Sequence, residues 1–382
     1  MTMVPTIGID YTPAYEQGGG IGRLVRELMA ALAALDQTTD YRLFVAGAVG
    51  SRLPSAPAPN FTWKPTRLTP MWLARLWHRA RLPIPVEVFT GQMSLYHATD
   101  FVLPPTRSST RTLLTVHDLS FVRVPETASP GLRRYLDAVV PRSVQRADHV
   151  LADSTATKND LIEIYNTPPE KITVLLSGLT PQFKPVRDPA QLRAVRERYH
   201  LGETPYILSV GTVQPRKNYA RLIEALAHLR AEKHDVHLVI VGGKGWLEDP
   251  IYAALQQHNV EKYVHFTGFA AESDLPAIYS GALCCALPSL YEGFGLPVLE
   301  AMGCGIPVVT SAISSLPEVA GDAAILVNPY SVEAIVDALR RIIEDSTLRS
   351  HLVDLGTARA QTFTWERSAQ QLMALYNQML KQ

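Results

Sequence analysis

Of 382 residues only three are cysteine: Cys284, Cys285 and Cys304. An odd count in apolar surroundings argues against a disulfide framework, and the spacing offers no convincing metal site. The thiols read as reduced and buried, in a cytosolic chain. Net charge is missing as well, since Lys plus Arg equals Asp plus Glu at 36 each. That balance gives no global reason to expect nucleic acid, so local patches must carry any charged ligand. No run of about 18 uncharged apolar residues occurs, and Met1–Asp10 has no basic segment followed by an apolar stretch. A soluble chain is expected, with peripheral membrane contact left open. What is abundant is apolar bulk: 47% of the residues are hydrophobic. The length exceeds one ordinary core and suits two domains of roughly 150 to 200 residues each.

Short β-branched runs alternate with longer amphipathic ones, the pattern of parallel strands covered by helices. In the first half, strands are expected at Thr6–Asp10, Tyr41–Ala46, Leu113–Val116, His149–Ala152 and Ile172–Leu175, with helices at Gly22–Leu35, Pro130–Arg146 and Ala156–Tyr165. The second half repeats the alternation with strands Tyr206–Val210, His237–Val241, Val264–Phe266, Leu283–Leu287 and Pro307–Val309 and a helix at Asn218–Arg230. Two doubly wound, Rossmann-like α/β domains are the simplest architecture. Pro181, Pro185 and Pro189 prevent a continuous helix or central strand across the middle of the chain. The expected division is residues 1–180, a linker at 181–189, residues 190–365, and a last helix at 366–382 that packs back on the first domain. Ligands of open α/β sheets bind beyond the carboxyl ends of the strands, so facing domains imply a deep cleft hinged at the linker.

The densest signal is Glu292-Gly293-Phe294-Gly295-Leu296-Pro297-Val298-Leu299-Glu300. It sets two carboxylates across a flexible turn and the opening of a helix. Pro297 fits an early helical position, and the glycines let backbone approach a ligand. One acid at a loop tip, a row of free amides and a second acid in the first helical turn suit a hydroxyl-rich anion. Gly18-Gly19-Gly20-Ile21-Gly22-Arg23 opens a helix and offers N–H groups to an anion, although Gly20-Ile21-Gly22 equally permits close helix packing. Gly211-Thr212-Val213-Gln214-Pro215-Arg216-Lys217-Asn218 brings two cations to a strand-to-helix loop, where they neutralise a diphosphate or lie solvated. Asn218 is a candidate cap for the following helix.

His117-Asp118 ends a strand, and neither residue is economical in a core without hydrogen bonds. A neutral His117 donating to a sugar oxygen competes with a purely structural pair. Gly242-Gly243-Lys244-Gly245 and Gly268-Phe269 follow strands and are candidate pocket walls for phosphate or nucleobase. Lys244 is not a Walker lysine, because that pattern is absent. The segment from Met71 to Arg81, with Trp72, Arg75, Trp77 and Arg79, reads as a helix that holds an amphiphilic acceptor or rests on anionic headgroups. The plainer reading is a buried stripe with its arginines in water.

Pro288-Ser289-Leu290-Tyr291-Glu292-Gly293-Phe294-Gly295-Leu296-Pro297, followed by Glu300-Ala301, resembles the signature of retaining family 4 glycosyltransferases of GT-B architecture. The resemblance extends through the amino-terminal glycine loop, His117-Asp118 and Pro215-Arg216-Lys217-Asn218. It implies that Glu292 contacts donor-sugar hydroxyls, Glu300 the nucleotide ribose, and Arg216 and Lys217 the diphosphate. Gly19 and Gly20 would approach that diphosphate, and His117 would lie beside the transferred sugar. Thr212 departs from the pattern, since many members carry arginine there. The resemblance further implies front-face transfer with retention. No obligatory metal or other cofactor is expected, since Arg216 and Lys217 can serve electrostatically and no aspartate-rich metal signature stands nearby. The Gly-Thr-x-x-Pro-Arg-Lys-Asn form is similar to bacterial mannosyltransferases of surface polysaccharide synthesis, which implies GDP-mannose as donor and a soluble or polyprenyl-linked saccharide as acceptor. A cytoplasmic enzyme is the corresponding expectation, with peripheral contact at the inner face of the cell membrane left open. A UDP-sugar transferase, a nucleotide-sugar epimerase and a noncatalytic nucleotide-sugar sensor are the alternatives.

Overall fold

The computed structural model describes residues 4–50 and 53–381. Contacts divide the chain into two compact units. One comprises the residues up to Leu119, Arg134–Gly178 and the chain from Thr364; the other comprises Ser120–Arg133 and Leu179–Phe363. Residues 120–133, expected in the first domain, therefore cluster with the second. Val124 there packs with Leu290 and Tyr291, and the carbonyl of Thr127 accepts the Trp246 indole N–H at 2.8 Å.

Among the described residues, the first unit holds seven strands: β1 (Thr6–Asp10), β2 (Asp40–Ala46), β3 (Phe61–Thr66), β4 (Leu95–Ala98), β5 (Arg111–Val116), β6 (His149–Ala152) and β7 (Ile172–Val174). Their order is β3-β2-β1-β4-β5-β6-β7, and β1 runs parallel to both β2 and β4. Residues such as Leu113, Leu114 and Val116 are buried because a parallel sheet is covered on both faces. The helix Trp365–Lys381 buries Trp365, Ala369, Leu372 and Tyr376 in the same core as Ile7, Ile9 and Leu43.

The second unit holds β8 (Tyr206–Val210), β9 (His237–Val241), β10 (Val264–Gly268), β11 (Cys284–Leu287), β12 (Val308–Ser311) and β13 (Ile325–Val327), ordered β10-β9-β8-β11-β12-β13. Its core joins Ile207, Leu238, Ile240 and Ala286 to Leu222 and Leu226 on helix Tyr219–Ala231. In each sheet the strand order reverses direction once: between β1 and β4 in the first, between β8 and β11 in the second. Loops leaving such a reversal at the carboxyl edge splay apart and leave a crevice for ligand. Among the described residues, no helix is long and apolar enough to cross a membrane.

Candidate functional site

The reversal in the second sheet brings two distant segments together. Past the end of β8, Gly211 has φ +153°, and a Cβ there would lie 2.6 Å from Cε of Lys217. The chain continues through a 3₁₀ turn, Pro215–Lys217, and left-handed Asn218 at φ 61° into helix Tyr219–Ala231. Asn218 does not cap that helix with its side chain, contrary to expectation. Its Nδ2 instead donates to the carbonyls of Pro288, 2.9 Å, and Pro329, 2.7 Å. The asparagine thereby ties the cationic loop to the loop that leaves β11.

On that second loop, Glu292 is 6% exposed, a buried acid rather than one at a flexible tip. Its Oε1 accepts from Nζ of Lys217 and Oγ of Ser289, both at 2.6 Å, and its Oε2 accepts from Arg216 at 2.7 Å. Burial alone would raise the Glu292 pKa, but the charges of Arg216 and Lys217 and the bonds from Lys217 and Ser289 hold it down at about 2. The carboxylate is therefore ionised at neutral pH. With about four lone-pair directions on a carboxylate, these three bonds leave room for a ligand hydroxyl.

Ser314 Oγ accepts the Glu292 amide at 3.1 Å, which shortens the expected row of free amides. Ser315 Oγ donates to the carbonyls of Glu292 and Phe294. Sequence reasoning did not single out Ser289, Ser314 or Ser315. Their signal is serines just past β11 and β12, the strands flanking this loop.

Glu300 belongs to a separate arrangement. Helix Leu296–Gly303 begins after Gly295, at φ +112°, so Pro297 is its second residue and Glu300 its fifth, one turn further in than expected. Glu300 is 4% exposed and accepts from the Tyr279 hydroxyl at 2.7 Å. Phe294 turns its ring to Phe363, centroids 5.9 Å apart, so Gly293, Phe294, Gly295 and Leu296 offer backbone rather than an aromatic face. At the neighbouring strand ends, a Cβ on Gly243 would meet nothing within 4 Å, and Phe269 is 70% exposed. The Val213 amide donates to the Gly243 carbonyl at 3.0 Å, joining that wall to the cationic loop.

In the first unit, Gly20 at φ +50° begins helix Ile21–Leu35, and a Cβ on Gly19 or Gly20 would meet nothing within 4 Å. Gly22 serves packing, since a Cβ there would lie 2.1 Å from the Gln17 carbonyl oxygen. Arg26 holds this loop from below through the carbonyls of Ala14, Gln17 and Gly18.

His117, just past β5, is not a neutral donor. Its Nδ1 lies 2.8 Å from Asp153 Oδ2 and its Nε2 lies 2.9 Å from the Thr99 carbonyl oxygen, so both nitrogens face acceptors. Burial works against the charge, yet the Asp153 carboxylate, with Asp100 and the Thr99 carbonyl behind it, raises the pKa to about 9. The ring is an imidazolium at neutral pH. Asp153 is a partner that sequence reasoning missed, although it lies just past β6, which pairs with β5.

The tryptophan-arginine segment is not one continuous helix. Pro70–Ala74 is α-helical and Arg75–Arg79 makes a π-helical turn. Trp77 is buried at 9% exposure and donates to the Ile84 carbonyl, whereas Trp72 is 52% exposed with the Arg75 guanidinium 4.9 Å above its ring. The buried-stripe reading holds for Leu73 and Trp77 alone; Arg75 and Arg79 are exposed.

Comparison with known proteins bears on the family and the fold. Residues 18–183 match the family described as glycosyltransferase family 4, and residues 193–359 match glycosyl transferases group 1. O-antigen chain mannosyltransferase B of Escherichia coli is 30% identical over 368 residues, covering 94% of this chain and 95% of that protein. Among solved structures, sucrose-phosphate synthase from Thermosynechococcus elongatus superposes with a TM-score of 0.76 at 24% identity, over 99% of this chain and all of that one. HepE of Anabaena, in complex with UDP and glucose, does so at 0.73 and 20% identity, over 98% of this chain and all of that one. Two doubly wound units, matched by both family models along nearly the whole chain, make this protein an enzyme of the family 4, group 1 glycosyltransferases with the GT-B fold.

Proposed function

We propose that this chain transfers a hexose from a nucleoside-diphosphate sugar to a hydroxyl of a saccharide acceptor, free or lipid-linked, with retention at the anomeric carbon. The observation that carries the reading is the cluster of half-buried Arg216 with buried Lys217 and Glu292 at the reversal of the second sheet. Two cations there suit a leaving diphosphate, and the ionised carboxylate suits sugar hydroxyls.

In the proposed step, the acceptor oxygen approaches the anomeric carbon from the side of the departing phosphate and bonds to it as the carbon–oxygen bond to the diphosphate breaks. The electron pair of that bond goes to the diphosphate, and the acceptor proton passes to the same phosphate oxygen. Arg216 and Lys217 stabilise the charge that accumulates there, while the loop backbones hold the donor in line. Glu300 takes the ribose, Gly243 and Phe269 border the base, and the backbone of Gly293, Gly295 and Leu296 lies along the donor. In the first unit, Gly19 and Gly20 leave open space at a helix N-terminus of a kind suited to an anion, and His117 is a fixed positive charge instead of a neutral hydrogen bond. Exposed Trp72, Arg75 and Arg79 are assigned to the acceptor or to a membrane surface on the cytoplasmic side.

Two donor readings stand. A UDP-hexose is supported by the solved neighbour that carries UDP and glucose; GDP-mannose is supported by the E. coli relative, a mannosyltransferase. Purified protein offered GDP-mannose and a set of UDP-hexoses, with mannose- and glucose-terminated acceptors, decides between them by product mass and anomeric NMR. Acceptor extended by one hexose with nucleoside diphosphate released is the expected result. Interconversion of the free nucleotide sugar without acceptor would establish an epimerase instead, and donor binding with neither product a sensor.

A further inference from the structure

The first unit holds a cavity lined by no residue assigned above to the donor. It has a volume of about 370 Å³, opens to solvent, and is walled by Trp77, His78, Arg81 and Leu82 on one side and by Val139, Arg142, Ser143 and Arg146 on the other. The second wall is one face of helix Pro130–Arg146, since residues three, four and seven apart share a side. The first wall comes from the π-helical turn and Arg81, whose φ of 54° aims the chain through a left-handed bend.

Three arginines line the cavity and, among the described residues, no aspartate or glutamate does. Arg146 is fixed by the carbonyls of Leu103 and Pro104, at 3.2 and 2.8 Å. Arg81 and Arg142 are exposed and are in none of the ion pairs among the described residues. Burial, and then the charge of Arg146, push the His78 pKa down to about 4, so at neutral pH the cavity's charge is that of its arginines. The chain that leads into and forms the first wall also carries exposed apolar side chains: Met71 at 60%, Trp72 at 52% and Leu82 at 39%. Uncompensated guanidinium groups select phosphate, and the apolar lining with its apolar surroundings selects a phosphate borne on a hydrocarbon tail.

We propose that this cavity binds the phosphate or diphosphate group of a lipid, with Arg81 and Arg142 on the phosphate oxygens and Trp77, Leu82 and Val139 against the first carbons of the tail. The volume is near the lower end of the roughly 300–1,000 Å³ usual for small-ligand sites, which suits a headgroup with its first carbons and not a whole chain. The identification of this lipid with the saccharide acceptor rests on the proposed transfer reaction; the binding itself does not.

Flotation of the full-length protein with phosphatidylcholine vesicles, with or without a few mole per cent of polyprenyl diphosphate, tests the assignment without turnover. Lipid binding is thus read separately from hexose transfer, and a chain that transfers nothing can still pass or fail. Expected is binding that requires the polyprenyl diphosphate and weakens roughly tenfold or more in Arg81→Ser/Arg142→Ser. Val139→Trp, which fills the cavity and alters no charge, should weaken it as strongly, and circular dichroism checks that each variant is folded. Three results would overturn the proposal. One is equal binding to vesicles of matched charge made with phosphatidylglycerol; another is competition by free pyrophosphate at the affinity of the lipid. The third is wild-type affinity in both variants.

Discussion

Lys217 lies 2.6 Å from Glu292 in a site where both side chains are at least nine-tenths buried, so its charge acts with little screening by water. Lys217→Ala removes one of two cations assigned to the leaving diphosphate. Turnover is expected to fall about 100- to 1,000-fold at saturating donor, the scale of losing one such electrostatic contact. An unchanged kcat in the alanine variant would refute the role. His117 permits a different kind of test, because its folded pKa of about 9 stands above the 6.5 of an unperturbed histidine. A raised pKa contributes stability that is fully present below about pH 6.5 and is lost as pH climbs through about 9. The shift corresponds to about 3 kcal/mol. Denaturant unfolding at pH 6 and pH 9.5 should therefore show the wild type losing more stability than Asp153→Asn, in which the carboxylate that holds the proton is gone. Parallel pH profiles for the two proteins would remove Asp153 as the cause.

Elements place these residues, and one glycine governs how closely two of them meet. Gly211 has φ +153° and leaves no space for a side chain beside Lys217. Gly211→Ala should cost about 1–3 kcal/mol from backbone strain and displace the lysine from Glu292. The expected readout is a lower melting temperature together with a loss of turnover approaching that of Lys217→Ala. Gly19→Ala is the control for folding, with nothing within 4 Å of its added carbon; its stability should stay within about 0.5 kcal/mol of wild type. Such detail separates what the sequence shows from what it hides. β1, β6, β8 and β9 are legible to the residue, because β-branched runs bounded by turns need no partner to be seen. β3 is not, since Lys64 and Pro65 argue against a strand; an edge position tolerates both. β4 is four residues long and contains His97, which is satisfied only by Tyr376 and Thr115 from distant parts of the chain. The same limit applies to the site. Arg216, Lys217 and Glu292 each carry a visible signal, but their joining into one ion-paired cluster depends on β8 lying beside β11, a pairing no local pattern encodes.

At the scale of the molecule, the two cores are separate while the chain is interwoven: helix Trp365–Lys381 follows the second unit in sequence and completes the core of the first. Leu372 is fully buried there among Ile9, Leu43 and Leu375, and the ring of Tyr376 hydrogen-bonds His97 of β4 through its hydroxyl at 2.7 Å. A defect in this helix should therefore be felt at residues near the other end of the chain. Leu372→Ala leaves a cavity in a core that relaxes only in part, at a cost of about 2–5 kcal/mol. Amide hydrogen exchange localises that cost, because opening free energies are properties of cooperative units and not of sequence neighbourhoods. Exchange is expected to accelerate in β1, β2 and β4, which lie hundreds of residues away, and to remain at wild-type rates in β8, β9 and β11 although these are nearer in sequence. Acceleration confined to residues 340–381, or spread equally over both sheets, would contradict the assignment of this helix to the first core.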